Sequence, residues 1–442
     1  MGYAARRDDA GPFPMAIAPG LDARRAALVA LDAVLESDRP LDAAWREAKV
    51  DRLQDRDAGF ARLLVLTTLR RLGSIDAVID RFVARRPVGR NRLAVQIMRI
   101  AGAELMALDG VPHAAVDTAV RLAKHLPDTR RLSGMVNAVC RRMADEGCRM
   151  FDEIDADAVD TPAWLWERLK DAHGEETARA IATAHRHGAP LDIVPARVAA
   201  DWAERLGGTL TPAGTVRRGG GAVASLEGYE EGAWWVQDAA ATLPAYLLGD
   251  VRGRRILDLC AAPGGKAMQL AAMGAEVTAL DISAPRMRRM RENLLRTRTG
   301  VKVVIADALD WQPDGLFDGI LIDAPCSATG TIRRHPDLPH LKSGAMLASL
   351  TPLQDALMTR AWNWLAPGGA MVYATCSLLP EEGETRIASF LASHPDARLD
   401  PVEEGGGIGA EMISGGALRT LPCHWPDIGG LDGFFAARLV RA

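Results

Sequence analysis

The residues best suited to chemistry in this chain are two cysteines. Cys326 lies in DGILIDAPCSATG and Cys376 in GAMVYATCSLLP, and each closes an apolar, strand-like run downstream of the glycine turn LDLCAAPGGK. A cysteine becomes a strong, soft nucleophile once ionised. A glycine turn after a buried strand lets backbone approach a nucleotide-like ligand without side-chain obstruction. Two thiols beside such a turn point to covalent chemistry on a molecule that a bound cofactor serves. Cys140, Cys148 and Cys423 read instead as small buried hydrophobes, and Cys260 as a member of the cofactor loop acting through its backbone.

The turn itself, Cys260, Ala261, Ala262, Pro263, Gly264, Gly265 and Lys266, discriminates among cofactors. A phosphate-cradling Walker loop needs glycine at position 260 and Ser or Thr at 267, where this chain has Cys260 and Ala267. A dinucleotide fingerprint wants GxGxxG, whereas here two adjacent glycines follow a proline, which disfavours an NAD-dependent dehydrogenase. A nucleoside cofactor without a pyrophosphate remains. It needs an acid for its ribose hydroxyls, and Asp281 stands at the end of the second strand; Asp307, at the end of the third, could accept from an adenine amino group. Either acid alone would read as a turn former, but the turn and two registered acids together outweigh that. His185 and His187 lack partners for a metal site, and the basic RRHP run around His335 suits a phosphate better than a hydrolase's general base. No metal is expected.

These residues need a frame. From Arg254 onward strands and helices alternate: RRILDLC, a helix near Met268 to Met273, EVTALD, a helix from Pro285, VKVVIAD, FDGILIDAP, a helix capped by Thr351 and starting at Pro352, then GAMVYATCS. This alternation predicts a parallel sheet with helices on both faces, a Rossmann-like α/β domain over residues 229–442. Ser377 and Pro380 read as the start of a further helix whose positive end would favour a thiolate at Cys376, with Glu381 and Glu382 partly opposing it. Residues 21–150 carry helical periodicity, with Ala94, Met98, Ala101 and Leu105 on one face and Leu28, Leu31, Val34 and Leu35 on another, and read as an all-α bundle. Residues 151–228 read as a small α+β domain facing RNA, and residues 1–20 as a disordered tail.

Composition agrees with a multidomain globular chain. A length of 442 residues exceeds one ordinary core, and 48% hydrophobic with 25% charged residues excludes a disordered chain. A net charge of −4 argues against wholesale coating of nucleic acid but leaves room for a local basic groove. Six cysteines without repeated CxxC spacing give no disulfide framework, and reduced thiols imply the cytoplasm. No apolar run is long enough to cross a membrane.

The strings DLCAAPGGK, DAPCSATG and YATCSLLPEE, in that order, resemble the bacterial Sun branch (also called Fmu or RsmB) of the RNA 5-methylcytosine methyltransferases. SGMVNAVCRR resembles the end of that family's NusB-like helical domain, IRRHPDL follows its proline-cysteine loop, and TLPCHWPDIGGLDGFFAARL its carboxyl-terminal strand pair. Nearly the whole chain is covered. The resemblance implies S-adenosylmethionine as cofactor, Cys376 as the nucleophile on carbon 6 of cytosine, Cys326 as assistant in release, and Asp323 in contact with ring N3 and with the cofactor. It also implies a cofactor contact for Arg286. DNA 5-methylcytosine enzymes attack with the cysteine of their proline-cysteine motif, so the reversed assignment stands as the mechanistic alternative. Two departures are visible: PEEGE where several relatives have Asn-Glu, and Ala267 where Thr is usual.

The chemistry fits these residue types. Carbon 5 of cytosine is a poor nucleophile until something adds to carbon 6, so a strong nucleophile and a group at N3 are required. The base must leave its stack, which is easiest in single-stranded or looped RNA. The expected partner is structured RNA; the resemblance narrows it to small-subunit ribosomal RNA and allows a protein partner for the helical domain. Arg333 and Arg334, flanking the Cys326 loop, are candidates for target phosphates, and Arg85, Arg86, Arg90 and Arg92 for a wider RNA surface. Arg288, Arg289, Arg291, Arg296 and Arg298 read mostly as a solvated helix face. A competing class is a binding protein that keeps the cofactor fold without turnover, against which the intact Cys326, Cys376 and Asp323 weigh.

Overall fold

The computed structural model describes residues 21–196 and 200–441; the expected N-terminal tail lies outside them. The described chain divides into two compact units, one running to Trp166 and including His335–Leu341, the other comprising Glu167–Arg334 and Lys342 onward.

The first unit is helical. Its helices include Asp22–Ser37, Asp55–Arg70, Leu72–Phe82, Leu93–Met106, Pro112–His125 and Ser133–Arg142. Leu93–Met106 is the central one, and its predicted face of Ala94, Met98, Ala101 and Leu105 is buried, as are Leu28, Leu31 and Val34 of the first helix. Two ion pairs tie polar groups of this unit together. Arg99 forks onto Asp76 at 2.8 and 2.7 Å, and Arg71 holds Asp160 at 2.9 Å.

The second unit holds two sheets. A small antiparallel sheet is built from Leu191–Pro195 (β1), Thr209–Leu210 (β2), Val216–Arg218 (β3) and Trp234–Val236 (β4) in the order β2-β3-β1-β4. Asp192 and Arg217 sit directly opposite each other across β1 and β3 and form a buried bidentate pair, 2.7 Å at both contacts.

The larger sheet is mixed. Arg255–Leu259 (β5), Glu276–Asp281 (β6), Lys302–Ile305 (β7), Phe317–Asp323 (β8) and Leu365–Thr375 (β9) run parallel in the order β9-β8-β5-β6-β7. Ala397–Asp400 (β10), Ile413–Ser414 (β11), Ala417–Thr420 (β12) and Phe434–Arg441 (β13) extend it, with β13 antiparallel to β9 on one side and to β12 and β10 on the other. The central strands are mostly apolar because both faces are covered, by helices such as Gly265–Ala272, Ala284–Thr297 and Leu347–Asn363. The last of these begins earlier than its proline suggests. Thr351 is inside it, back-bonded to Leu347 O at 2.9 Å, and Pro352, its sixth residue, forgoes one i→i−4 hydrogen bond.

Among the described residues no helix is long and apolar enough to cross a membrane.

Candidate active site

Parallel strands deliver their carboxyl ends to one edge of the sheet, and the sequence places its chemistry there. Cys260 follows β5, Asp281 ends β6, Asp307 lies two residues beyond β7, Asp323 ends β8 and Cys376 follows β9. A pocket of ≈ 210 Å³ opens along this edge; Cys260, Asp281, Ile282, Arg286, Asp307 and Leu309 are among its lining.

The glycine turn shapes one wall. Cys260 and Gly264 both have positive φ, 62° and 105°. A Cβ on Gly264 would lie 2.7 Å from Met290 Cγ, so that position requires glycine on conformational and steric grounds alike. Asp281 is buried and accepts from the backbone N–H groups of Ala262 (3.1 Å) and Ser283 (2.8 Å), tying the turn to the end of β6. Arg286 donates to Ala262 O and stands 3.7 Å from Asp281, while Asp307 accepts from Leu309 N–H at 2.9 Å. The apolar wall with acids at its strand ends fits a nucleoside of the kind the sequence predicts. Ile282, 67% exposed beside the pocket, is a surface the sequence alone did not single out.

Deeper in, Lys266 of the turn meets Asp323 at 2.8 Å, with its ammonium also 5.1 Å from the Phe434 ring centroid. Burial works against the Lys266 charge, but the Asp323 carboxylate more than restores it and its pKa ends above the ordinary lysine range. Asp258, fully buried on β5, shares this environment; burial pushes it up to about 8, aided by Asp323 and Asp281 and opposed by Lys266.

The two sulfurs lie 3.5 Å apart, both half-buried. The hydrogen bond with Cys376, then burial, push Cys326 well above the usual thiol range. Cys376 is not at the start of a helix. Only a short 3-10 turn, Pro380–Glu382, follows, and the next helix begins at Glu384, so the expected dipole stabilisation of its thiolate does not apply. Glu382, read from sequence as partly opposing a thiolate at Cys376, is fully buried and accepts from residues next to both cysteines. No spacing in the sequence marks it. Gly383, in the PEEGE run, has no room for a side chain: a Cβ there would be 2.7 Å from both Phe435 Cγ and Arg419 Nη2.

Other expectations are corrected. Arg333 is 1% exposed and donates to Gly429 O, and Arg334 is clasped by Asp432 (2.9 Å) and Asp238 (2.5 Å), so both brace the fold and neither is free for a phosphate. Arg296 is no solvated group either, since it donates to Tyr229 O and Trp234 O and stacks 4.2 Å from the Tyr229 ring. Arg86 and Arg92 are held by Asp76, Asp80 and Asp32, whereas Arg85 and Arg90 are exposed. Cys140 is buried as expected, but Cys148 is exposed. His185 is buried and neutral, its pKa lowered by burial to about 3, and among the described residues no cluster is set to hold a metal.

Comparison with known proteins agrees with this architecture. Residues 245–440 match the family described as 16S rRNA methyltransferase RsmB/F, and residues 21–145 match the NusB family. The chain is 33% identical over 440 residues to ribosomal RNA small subunit methyltransferase B of Cronobacter sakazakii, covering 95% of this chain and 99% of that one. It is 34% identical over 408 residues to the Yersinia enterocolitica protein of the same name, covering 88% and 92%. The chain therefore belongs to the RsmB/F family of RNA methyltransferases, with a NusB helical domain at its N-terminal side. In fold, it matches the crystal structure of PH0851 with a TM-score of 0.73 at 23% identity, over 96% of this chain and all of that one. A methyltransferase homolog from Pyrococcus horikoshii matches with a TM-score of 0.52 at 27% identity, over 62% and 94%.

Proposed function

We propose that this protein methylates carbon 5 of a cytosine in 16S ribosomal RNA, in the cytoplasm, through a transient bond between Cys376 and carbon 6. The methyl donor is S-adenosylmethionine, which supplies an electrophilic methyl group when bound. Cys260, Asp281, Arg286 and Asp307 line the pocket that would take its nucleoside part, with Ala261, Ala262, Pro263, Gly264 and Gly265 holding the turn beside it.

The observation that carries the reading is the pair of sulfurs 3.5 Å apart at the carboxyl edge, next to the Lys266–Asp323 pair. The hydrogen bond with Cys376, then burial, work against ionisation of Cys326, and the family resemblance gives the attack to Cys376. As the Cys376 sulfur bonds to carbon 6, an electron pair moves toward N3 and the carbonyl of the ring. Asp323 carries a proton to N3 as charge develops there, and the Lys266 ammonium beside it compensates the negative charge that remains. Once carbon 5 carries the methyl group, water takes its proton, the C–H pair becomes the double bond between carbons 5 and 6, and the C–S pair leaves with the Cys376 sulfur. Cys326 assists this release.

The test is transfer of labelled methyl from S-adenosylmethionine to unmodified small-subunit ribosomal RNA, followed by bisulfite mapping. A single cytosine becoming bisulfite-resistant is the expected result. Labelling that falls on another base, or on no RNA at all, would refute the proposal.

A further inference from the structure

The two cysteine loops arrive from different strands, β8 and β9, and the chain between them is 50 residues long, so their mutual placement needs a tie. One backbone hydrogen bond supplies part of it, from Gly330 N–H to Cys376 O at 2.9 Å. The rest converges on one carboxylate. Glu382 Oε1 accepts from the N–H of Ser327, the residue after Cys326, at 2.8 Å, and from Gln354 Nε2 at 3.1 Å. Its Oε2 accepts from the hydroxyl of Ser377, the residue after Cys376, at 2.6 Å.

We propose that Glu382 is a positioning residue: its carboxylate clamps the Cys326 loop to the Cys376 loop and thereby sets the distance between the two sulfurs. This rests on the functional reading above, in which both sulfurs take part.

Chemistry explains why an acid is used. An ionised carboxylate only accepts, with about four lone-pair directions, and so can gather three donors from two loops and a helix. Glu382 is fully buried, and its loss would take the acceptor from Ser327 N–H and one bond each from Gln354 and Ser377. The clamp also directs the hydroxyls behind it. With its proton committed to Glu382, Ser377 Oγ acts as acceptor for Leu379 N–H (3.0 Å) and lies 3.1 Å from Ser327 Oγ and 3.3 Å from Thr329 Oγ1. Thr329 Oγ1 in turn accepts from Leu378 N–H at 2.9 Å. Gln354 uses the same amide nitrogen to hold Pro325 O at 2.9 Å, fixing the residue before Cys326 as well.

The test reads sulfur spacing without RNA or methyl donor. Diamide takes up two hydrogens as two thiols become a disulfide, and mass spectrometry follows the Cys326–Cys376 bond. Methylation of small-subunit ribosomal RNA at saturating substrate is measured in parallel. Glu382→Ala should slow cross-linking and lower methylation on the order of 100-fold, the usual cost of a misplacement near 1 Å. Glu382→Asp, too short to reach both loops, should fall the same way. Glu382→Gln keeps an oxygen for Ser327 and Gln354 and should retain most of both. If the alanine variant does not fold, the Asp and Gln variants decide. Wild-type behaviour of Glu382→Asp, or lost methylation with unchanged cross-linking, would overturn the clamp. Because cross-linking is read on the free enzyme, a Cys376→Ala protein that still methylates would sink the functional reading and leave the clamp separately decided.

Discussion

Removing the Cys326 sulfur should turn the enzyme into a trap for its own intermediate. In Cys326→Ala the Cys376 sulfur loses its hydrogen-bonded neighbour at 3.5 Å. Such a bond contributes about 0.5–1.5 kcal/mol, so addition to carbon 6 slows by about 2- to 10-fold. Release loses a general acid–base group, which typically slows a step by about 100- to 10,000-fold. Breakdown is therefore hit harder than formation, and the covalent protein–RNA species accumulates. Cys376→Ala should form none. The assay is a denaturing gel of protein incubated with S-adenosylmethionine and labelled small-subunit ribosomal RNA, in which the adduct migrates as a shifted band. A shifted band with Cys376→Ala and none with Cys326→Ala would exchange the two roles and refute the reasoning from the raised Cys326 pKa.

Three further outcomes follow from buried features. Arg217→Met leaves Asp192 charged and unpaired inside the protein, and should destabilise the second unit by about 3–5 kcal/mol in urea unfolding; a change under about 1 kcal/mol would contradict the burial of that pair. Asp258 has a native pKa raised to about 8, so its stabilising contribution is fully present below its ordinary value of 3.8 and is lost as pH rises through about 8. Asp258→Asn should thus flatten the decline of stability between those values, and parallel wild-type and variant curves would count against it. Ala308→Trp should fill the ≈ 210 Å³ pocket and weaken S-adenosylmethionine binding at least about tenfold in calorimetry. Unchanged affinity would move the donor elsewhere.

How much of this was legible in the sequence depends on the range of the interaction. Local patterns read well: the alternating strands and helices, the helical face through Ala94, Met98, Ala101 and Leu105, and the strand-end positions of Asp281, Asp323, Cys326 and Cys376 all follow from spacing within one or two elements. Pairings across the chain did not. Arg334 looks like a phosphate ligand beside the cysteine loop because its partners, Asp238 and Asp432, are each nearly a hundred residues away. Arg296 looks like one more charge on a basic helix until Tyr229 and Trp234 fold against it. Glu382 carries the same lesson for the site, since it reads as partly opposing a thiolate at Cys376 until both loops close over it. The supposed helix start at Ser377 failed because Pro380 and Gly383 divert the chain into a 3-10 turn first.

The place of β13 has a consequence for how the molecule is made. It is among the last of the described elements along the chain, yet it lies between β9 and the outer strands, and six of its residues pair with Ala370 to Thr375. Until a ribosome has released the chain as far as Arg441, the strand that ends at Cys376 has an open flank whose amides and carbonyls face water or a stray partner. A nascent chain therefore already contains both thiols, the turn and every acid of the pocket before it can hold Cys376 still. The flank beside Cys376 closes only late in synthesis.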